Sequence, residues 1–214
     1  MPAKTKTAHI ESKLDAAEKA MKSSSWFLAE REALAALDAA ISAGIHDLAA
    51  DATLPLQEAR RQRTILAIDA SDGVPKIVEA VEQELETVEP GVHLLVPHAV
   101  AADARRMRVA AQQTEVPLLA VCREPDTRMG EVPIVAIGEV TVRAYVAPPE
   151  NPEAPGLDWV LAAHDALGDA AIARIDPAID GTQKIEALRN ALESVPEHER
   201  LHQALAAALR EAAG

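Results

Sequence analysis

The stretch Thr64-Ile65-Leu66-Ala67-Ile68 begins the region that decides the predicted fold. It is short and almost continuously apolar, and two similar runs follow at residues 92–96 and 117–121. Helical patterns at residues 74–88 and 99–114 separate the three runs. Short apolar runs that alternate with helices are typical of βαβ units, whose parallel strands are buried on both faces. We therefore predict three parallel strands.

Two more apolar segments follow, at residues 133–137 and 140–146, and Gly138 lies between them. The second segment alternates apolar and polar residues, so this pair predicts a β-hairpin. The complete prediction is an α/β domain over residues 64–147. Its small Rossmann-like parallel sheet has the order β-α-β-α-β-β-β, and N- and C-terminal α-helical regions flank it.

The chain outside this domain divides into four segments. Residues 1–8 are expected to be a disordered tail, residues 9–63 a helical region and residues 157–214 a second helical region. Residues 148–156 are rich in proline and are expected to form a stiff linker. Pro55 should kink or split a helix of the first region, because proline lacks the N–H that a helix interior needs.

Local signals mark several helix ends. Gly44 is expected to end a helix that begins at Trp26, because glycine adopts the left-handed conformation of the C′ position. Thr182 is expected to cap a later helix, and Ser194 with Glu197 has the spacing of a capping box. The last helix carries one apolar stripe, which is formed by Leu201, Leu205 and Leu209.

The composition argues against several classes of function. The 214 residues carry a net charge of -13, which disfavours binding to a nucleic-acid backbone. Two basic clusters, at residues 60–63 and 105–108, are interpreted as solvated helix faces. The single Cys122 cannot form an internal disulfide, which fits a reducing compartment. We find no secretory signal and no run of membrane-spanning length, so we expect a cytoplasmic protein without membrane contact.

Two segments that begin with the only tryptophans resemble each other. Residues 26–34 align without gaps on residues 159–167, and they match at Trp, Leu, Ala, an acidic residue, Ala and Leu. We therefore expect two related helices, each with a largely buried tryptophan near its start.

A helical-repeat family resembles parts of both segments. Ala29, Ala33 and Ala36-Leu37, after the aromatic pair Trp26-Phe27, resemble the second helix of a tetratricopeptide-type hairpin. Residues 166–169 are similar to the turn between the helices of such repeats. The resemblance covers about a third of the chain, without a complete consensus of about 34 residues. It implies helical-hairpin packing and, more loosely, a surface for protein partners.

The segment His198-Glu199-Arg200-Leu201-His202 fits the pattern H-E-x-x-H. In that pattern two histidines one helical turn apart bind zinc, and the glutamate acts as a general base. The usual third ligand is missing, because Leu205 and Ala208 stand where metzincins have Gly and His. We therefore expect an exposed polar helix face here, with no metal and no other cofactor.

Polar residues that follow the predicted strands are the candidate ligand-binding residues. Asp69 and Asp72 follow the first strand, His98 follows the second and Arg123 follows the third. Ligands of open parallel sheets bind beyond the carboxyl ends of the strands. A carboxylate suits a divalent cation, histidine suits acid–base work, and arginine suits a phosphate or carboxylate. The structural alternative is that Asp72 caps a helix and that Asp69 pairs with Arg123.

Known catalytic signatures are absent from the sequence. It contains no G-x-G-x-x-G, no G-x-x-x-x-G-K-S/T and no G-x-S-x-G. We therefore expect a non-enzymatic adaptor or scaffold with a protein partner, while the oligomeric state stays open. The alternative is an α/β domain that binds a small molecule or nucleotide, with or without hydrolysis. Convergence of the four candidate side chains on one concave site would favour this alternative.

Overall fold

The computed structural model describes residues 3–82 and 85–214. These residues form seven α-helices and one five-stranded mixed β-sheet, which confirms a mixed α/β protein with helical N- and C-terminal regions. The elements in chain order are α1 (Ala3–Lys22), α2 (Trp26–Ala43), α3 (His46–Ala70), β1 (Lys76–Val78), β2 (Gly91–Leu95), α4 (Ala101–Gln113), β3 (Leu118–Arg123), β4 (Val132–Ile137), β5 (Thr141–Val146), α5 (Leu157–Ala173), α6 (Gly181–Ser194) and α7 (Glu199–Ala213).

The chain forms two compact units that interleave along the sequence. The helical unit comprises the described part of Met1–Arg63, together with Ile175–Arg189 and Glu199–Gly214. The sheet unit comprises Thr64–Arg174 and Asn190–His198. Both α3 and α6 therefore contribute residues to each unit.

The sheet has the strand order β1-β2-β3-β4-β5. The first three strands are parallel, and β4 is antiparallel to both β3 and β5. On one face, Leu95 and Val135 form a core cluster with Met107 of α4. Val135 pairs with Arg143 of β5, so these two side chains share a face of the sheet. The side chain of the neighbouring Val142 therefore points to the opposite face, where it is buried. The helix α5 packs against β3, β4 and β5.

The first predicted strand is wrong, because Thr64–Ile68 continues α3. A short apolar run does not by itself distinguish a strand from a helix. Here the preceding helix extends through the run and buries Ala67. Pro55 does not split this helix either, because the loss of a single backbone hydrogen bond is tolerated within 25 residues of helix.

The first helix predicted within the α/β domain, at residues 74–88, is also wrong. The short strand β1 lies there and pairs in parallel with β2. The following residues Val81, Leu85 and Val88 pack against the core cluster of the sheet. Residues 83 and 84 lie outside the described residues. The apolar spacing that resembles a helix therefore reflects contacts of a strand and an irregular segment with the sheet.

The helix ends partly follow the local signals. Gly44 has φ 69° and its N–H donates to the carbonyl of Ile41, which confirms its C′ role. By contrast, α1 begins at Ala3, so residues 3–8 are helical rather than a disordered tail, and Met1 and Pro2 lie outside the described residues. The predicted apolar stripe of α7 is confirmed, since its three leucines are fully buried.

Two predicted caps are wrong. The first turn of α6 is capped by Asp180, whose Oδ1 accepts a hydrogen bond from the N–H of Gln183 at 2.9 Å, and not by Thr182. Ser194 ends α6 instead of starting a capping box, and its hydroxyl donates to the carbonyl of Val140 at 2.7 Å. The Ser194 hydroxyl, which a helix cap would use, is therefore engaged in a tertiary hydrogen bond with the β4–β5 hairpin.

Candidate functional site

The four candidate ligand-binding residues lie on separate segments of the sheet unit. Asp69 lies in the last turn of α3, Asp72 follows it, and His98 follows β2; all three are exposed. Arg123 ends β3 and donates from Nη2 to Oδ1 of Asp126 at 3.0 Å. Within the described chain no hydrogen bond or ion pair joins any two of the four. The predicted Asp69–Arg123 pair is therefore wrong, and so is the helix cap at Asp72, because no helix starts there.

Two other polar groups, close in sequence to the candidate residues, have structural roles. Burial, followed by the nearby carboxylates, raises the pKa of the Cys122 thiol to about 12, so it is not a thiolate nucleophile. The Ser71 hydroxyl donates to the carbonyl of Ala67 at 2.9 Å and accepts from the N–H of Val92 at 2.7 Å. Ser71 therefore ties the end of α3 to the start of β2.

The helical unit contains a buried carboxylate between two arginines. Glu30 of α2 is 5% exposed, and its Oε1 accepts a hydrogen bond from Nε of Arg60 at 2.8 Å. Its Oε2 accepts a hydrogen bond from Nη1 of Arg63. Burial alone would raise the pKa of Glu30, but the charges and hydrogen bonds of both arginines outweigh it and lower the pKa.

Aromatic and imidazole rings extend this cluster. The guanidinium of Arg63 lies 4.3 Å from the centre of the Phe27 ring, which is a cation–π contact. Nη1 of Arg60 lies 3.3 Å from Nε2 of His202 on α7. Arg60 and Arg63 of the basic cluster at residues 60–63 are thus buried, and the interpretation of the cluster as a solvated face is wrong for these two arginines. The i,i+3 spacing of the two arginines was the available sequence signal for a shared buried face.

The second basic cluster also makes structural contacts. Arg106 donates to the carbonyl of Glu82 at 2.9 Å. Arg108 donates to the carbonyls of Ser194 at 2.8 Å and Ile137 at 3.1 Å. These bonds connect segments within the sheet unit. Arg106 and Arg108, which were predicted to lie on a solvated face, are therefore partly buried.

The two histidines of the zinc-like motif are buried and have different neighbours. His198 is 3% exposed, and its Nε2 lies 3.3 Å from Oδ1 of Asp169. Its ring packs on Gly168, where an added Cβ would lie 2.1 Å from the ring. His202 is 1% exposed and faces Arg60. The prediction of an exposed face is wrong, and the described residues contain no group of three side chains suited to hold a metal.

A third histidine lies between two carboxylates in the sheet unit. Nδ1 of the buried His164 is 3.9 Å from Oδ1 of Asp165, and its Nε2 is 3.8 Å from Oε2 of Glu197. Burial alone would lower the pKa of His164, but the two carboxylates outweigh burial and raise it. The connection between α6 and α7 is therefore held to α5 by charge as well as by packing.

One candidate site is an open groove of about 480 Å³ along α1 and α2 in the helical unit. We call it the α1–α2 groove. Its apolar side chains are Ala16, Ala20 and Leu28, of which Leu28 is 39% exposed. The polar residues that line it are His9, Ser12, Lys13, Lys19, Ser23 and Glu32. An apolar floor with a charged rim suits a protein segment better than a small polar ligand.

Comparisons with known proteins identify no relative of this chain. No protein-family model, curated protein or solved structure matches the chain. In the part of the chain that the structure describes, no helix is both long enough and apolar enough to cross a membrane.

Proposed function

We propose that this protein is a non-enzymatic adaptor whose helical unit holds a protein partner in the α1–α2 groove. The observation that carries the proposal is the exposed Leu28 beside two small residues, Ala16 and Ala20, in an open groove. Apolar side chains in a concave surface with a polar rim are the usual anchors of a protein interface. Packing of α1 and α2 as a tetratricopeptide-type hairpin is part of this proposal.

The arrangement of ionisable groups supports an adaptor more than an enzyme. Catalysis by general acids and bases needs a titratable group within reach of a substrate. Glu30, His164 and His198 are instead buried against charged neighbours within their own units. Such pairs stabilise a structure without offering a reactive atom to solvent.

Affinity purification with matched variants tests the proposal. Leu28→Asp places a charge in the α1–α2 groove, while Val109→Asp places one at a 50% exposed position of α4 in the sheet unit. We expect a stoichiometric partner to be recovered by the wild type and by the control, and to be lost by Leu28→Asp. Circular dichroism should show that both variants fold. Equal recovery by both variants, or no stoichiometric partner at all, would contradict the proposal.

One observation favours a second function, anion binding at the end of β3. Nε of Arg123 is buried and has no hydrogen-bond partner among the described residues. A guanidinium with a free N–H can bind a phosphate or carboxylate. The Rossmann-like interpretation of the sheet belongs to this alternative. Here inorganic phosphate should raise the melting temperature of the wild type more than that of Arg123→Met, and equal shifts would exclude it.

A further inference from the structure

We infer that the α1–α2 groove binds an acidic amphipathic helix of the partner protein. The inference rests on the proposed adaptor function and specifies the chemistry of the segment that is bound. Three features support it: the charge of the groove, the shape of its floor and the helical character of its walls.

The charge of the groove is opposite to that of the whole protein. Lys13 and Lys19 line it together with one carboxylate, Glu32, which already pairs with Lys13 at 2.7 Å. Lys19 is exposed and makes no ion pair with any residue that the structure describes. The protein has a net charge of -13, so most of its surface repels an acidic segment. A locally positive groove therefore steers such a segment to this place.

The floor of the groove has room for a third helix. Ala16 and Ala20 are small, and packed helix axes lie about 8–10 Å apart, with the shorter distances where the contact residues are small. Ala20 also belongs to a buried cluster with Ala29 and Ala59, which supports the floor. The groove residues extend from His9 to Ser23 of the chain, which corresponds to roughly 20 Å at 1.5 Å per helical residue. A partner helix of about four turns matches this length.

The walls favour a helical rather than an extended occupant. Both walls are helices, whose backbone groups are already hydrogen-bonded within each helix. An extended segment would find no strand edge there and would leave its own backbone groups unpaired on binding. A helix satisfies its backbone internally and presents an apolar stripe to Leu28. A second copy of this chain fits less well, because two molecules with a charge of -13 repel each other.

Two synthetic peptides provide the probe. Both are amphipathic helices of about 18 residues with the same leucine and alanine stripe, and the polar face carries glutamate in one and lysine in the other. Fluorescence anisotropy measures their binding to the full-length protein. We expect the glutamate peptide to bind at least about tenfold more tightly at low salt, and the difference to shrink as salt is added. Lys19→Glu should reduce that preference severalfold, while Val109→Asp should leave it unchanged.

The outcomes separate this inference from the adaptor function. Equal binding of both peptides would overturn the acidic partner and leave the groove as a binding surface. Binding that survives Leu28→Asp, or no binding of the glutamate peptide, would overturn the inference, while affinity purification judges the adaptor function independently. Sedimentation could instead reveal a dimer that Lys19→Glu dissociates. This result would assign the groove to a second copy of the chain and would also overturn the inference. Lys19 is exposed, so this variant keeps the test valid even if Leu28→Asp fails to fold.

Discussion

The helices α2 and α5 begin with closely similar sequences but bury different side chains. In α2, Glu30 is buried and Leu34 is 37% exposed. In α5, the residue aligned with Leu34 is Leu167, which is 3% exposed, and the buried polar group is His164, one aligned position later than Glu30. The same pattern of Trp, Leu and Ala therefore meets two different environments, one in each unit. Similar amphipathic composition does not make two helices structurally equivalent.

The tryptophans show the same difference. Both are only partly buried, which differs from the predicted pair of largely buried anchors. Nε1 of Trp159 donates a hydrogen bond to the carbonyl of Ala147 at 2.9 Å, which connects α5 to the segment after β5. Trp26 makes no corresponding bond to any residue described by the structure. The following four predictions test how far the two helices differ.

The largest effect is expected at the buried carboxylate of α2. Glu30→Gln removes the negative charge between Arg60 and Arg63, so two buried guanidiniums lose their counter-charge. We expect a loss of about 3–5 kcal/mol in the free energy of unfolding, measured with denaturant. Glu32→Gln in the same helix, which breaks the more exposed pair with Lys13, should cost less than about 1 kcal/mol. Similar losses in both variants would show that burial of Glu30 is not what matters.

A smaller effect is expected at a glycine of α5. Gly168→Ala places a Cβ against the ring of His198, so it should destabilise the protein by about 1–3 kcal/mol although alanine favours helices. The aligned residue of α2 is Ala35, where Ala35→Gly should cost about 1 kcal/mol through helix propensity alone. Denaturant unfolding of both variants gives the comparison. If Gly168→Ala instead stabilised the protein, the His198 ring would have to move aside without a loss in the free energy of unfolding.

The hydrogen bond of the second tryptophan should have a measurable but modest effect. Trp159→Phe removes the bond to Ala147 while it keeps an aromatic ring, and we expect a loss of about 0.5–1.5 kcal/mol. Trp26→Phe should cost less, because no such bond is lost. Each variant retains one tryptophan, so the unfolding of both variants can be followed by fluorescence. A larger loss at Trp26 would reverse this part of the comparison.

The smallest effect is a dependence of stability on pH around neutrality, which comes from His164 of α5. The carboxylates of Asp165 and Glu197 raise the pKa of His164 above its ordinary value of 6.5, despite its burial. A raised pKa in the folded state means that this stabilisation is complete below pH 6.5 and is lost as the pH rises through the folded pKa. Unfolding midpoints of the wild type should therefore fall across that range more steeply than those of His164→Gln. Parallel curves would show that His164 does not titrate in this way.

Little of the candidate site could be predicted from the sequence. Asp69 and Asp72 were chosen because they follow a predicted first strand, and that segment is the end of the helix α3. The tetratricopeptide resemblance pointed to a helical hairpin surface, which the proposed function uses, but it did not identify Leu28 or Lys19. A groove is defined by how two helices pack, and spacing along one helix does not reveal which of its exposed residues will line it.

The sequence by itself determined those elements whose signals are local. Strands β2 to β5, helix α4 and the end of α2 at Gly44 lie close to their predicted positions, because alternation, helical spacing and turn residues act over a few neighbouring residues. The buried leucines of α7 follow from the same helical spacing.

Tertiary structure alone decided the rest. Residues 64–68 have an apolar pattern that suits a strand or a helix, and the continuing helix α3 decided between them. Lys76–Val78 became a strand because β2 provides its hydrogen-bonding partner. Glu30 and Arg60 are 30 residues apart in the chain, so neither local sequence shows that the other will neutralise it. Burial of a charge depends on a partner that only the folded chain brings within hydrogen-bonding distance.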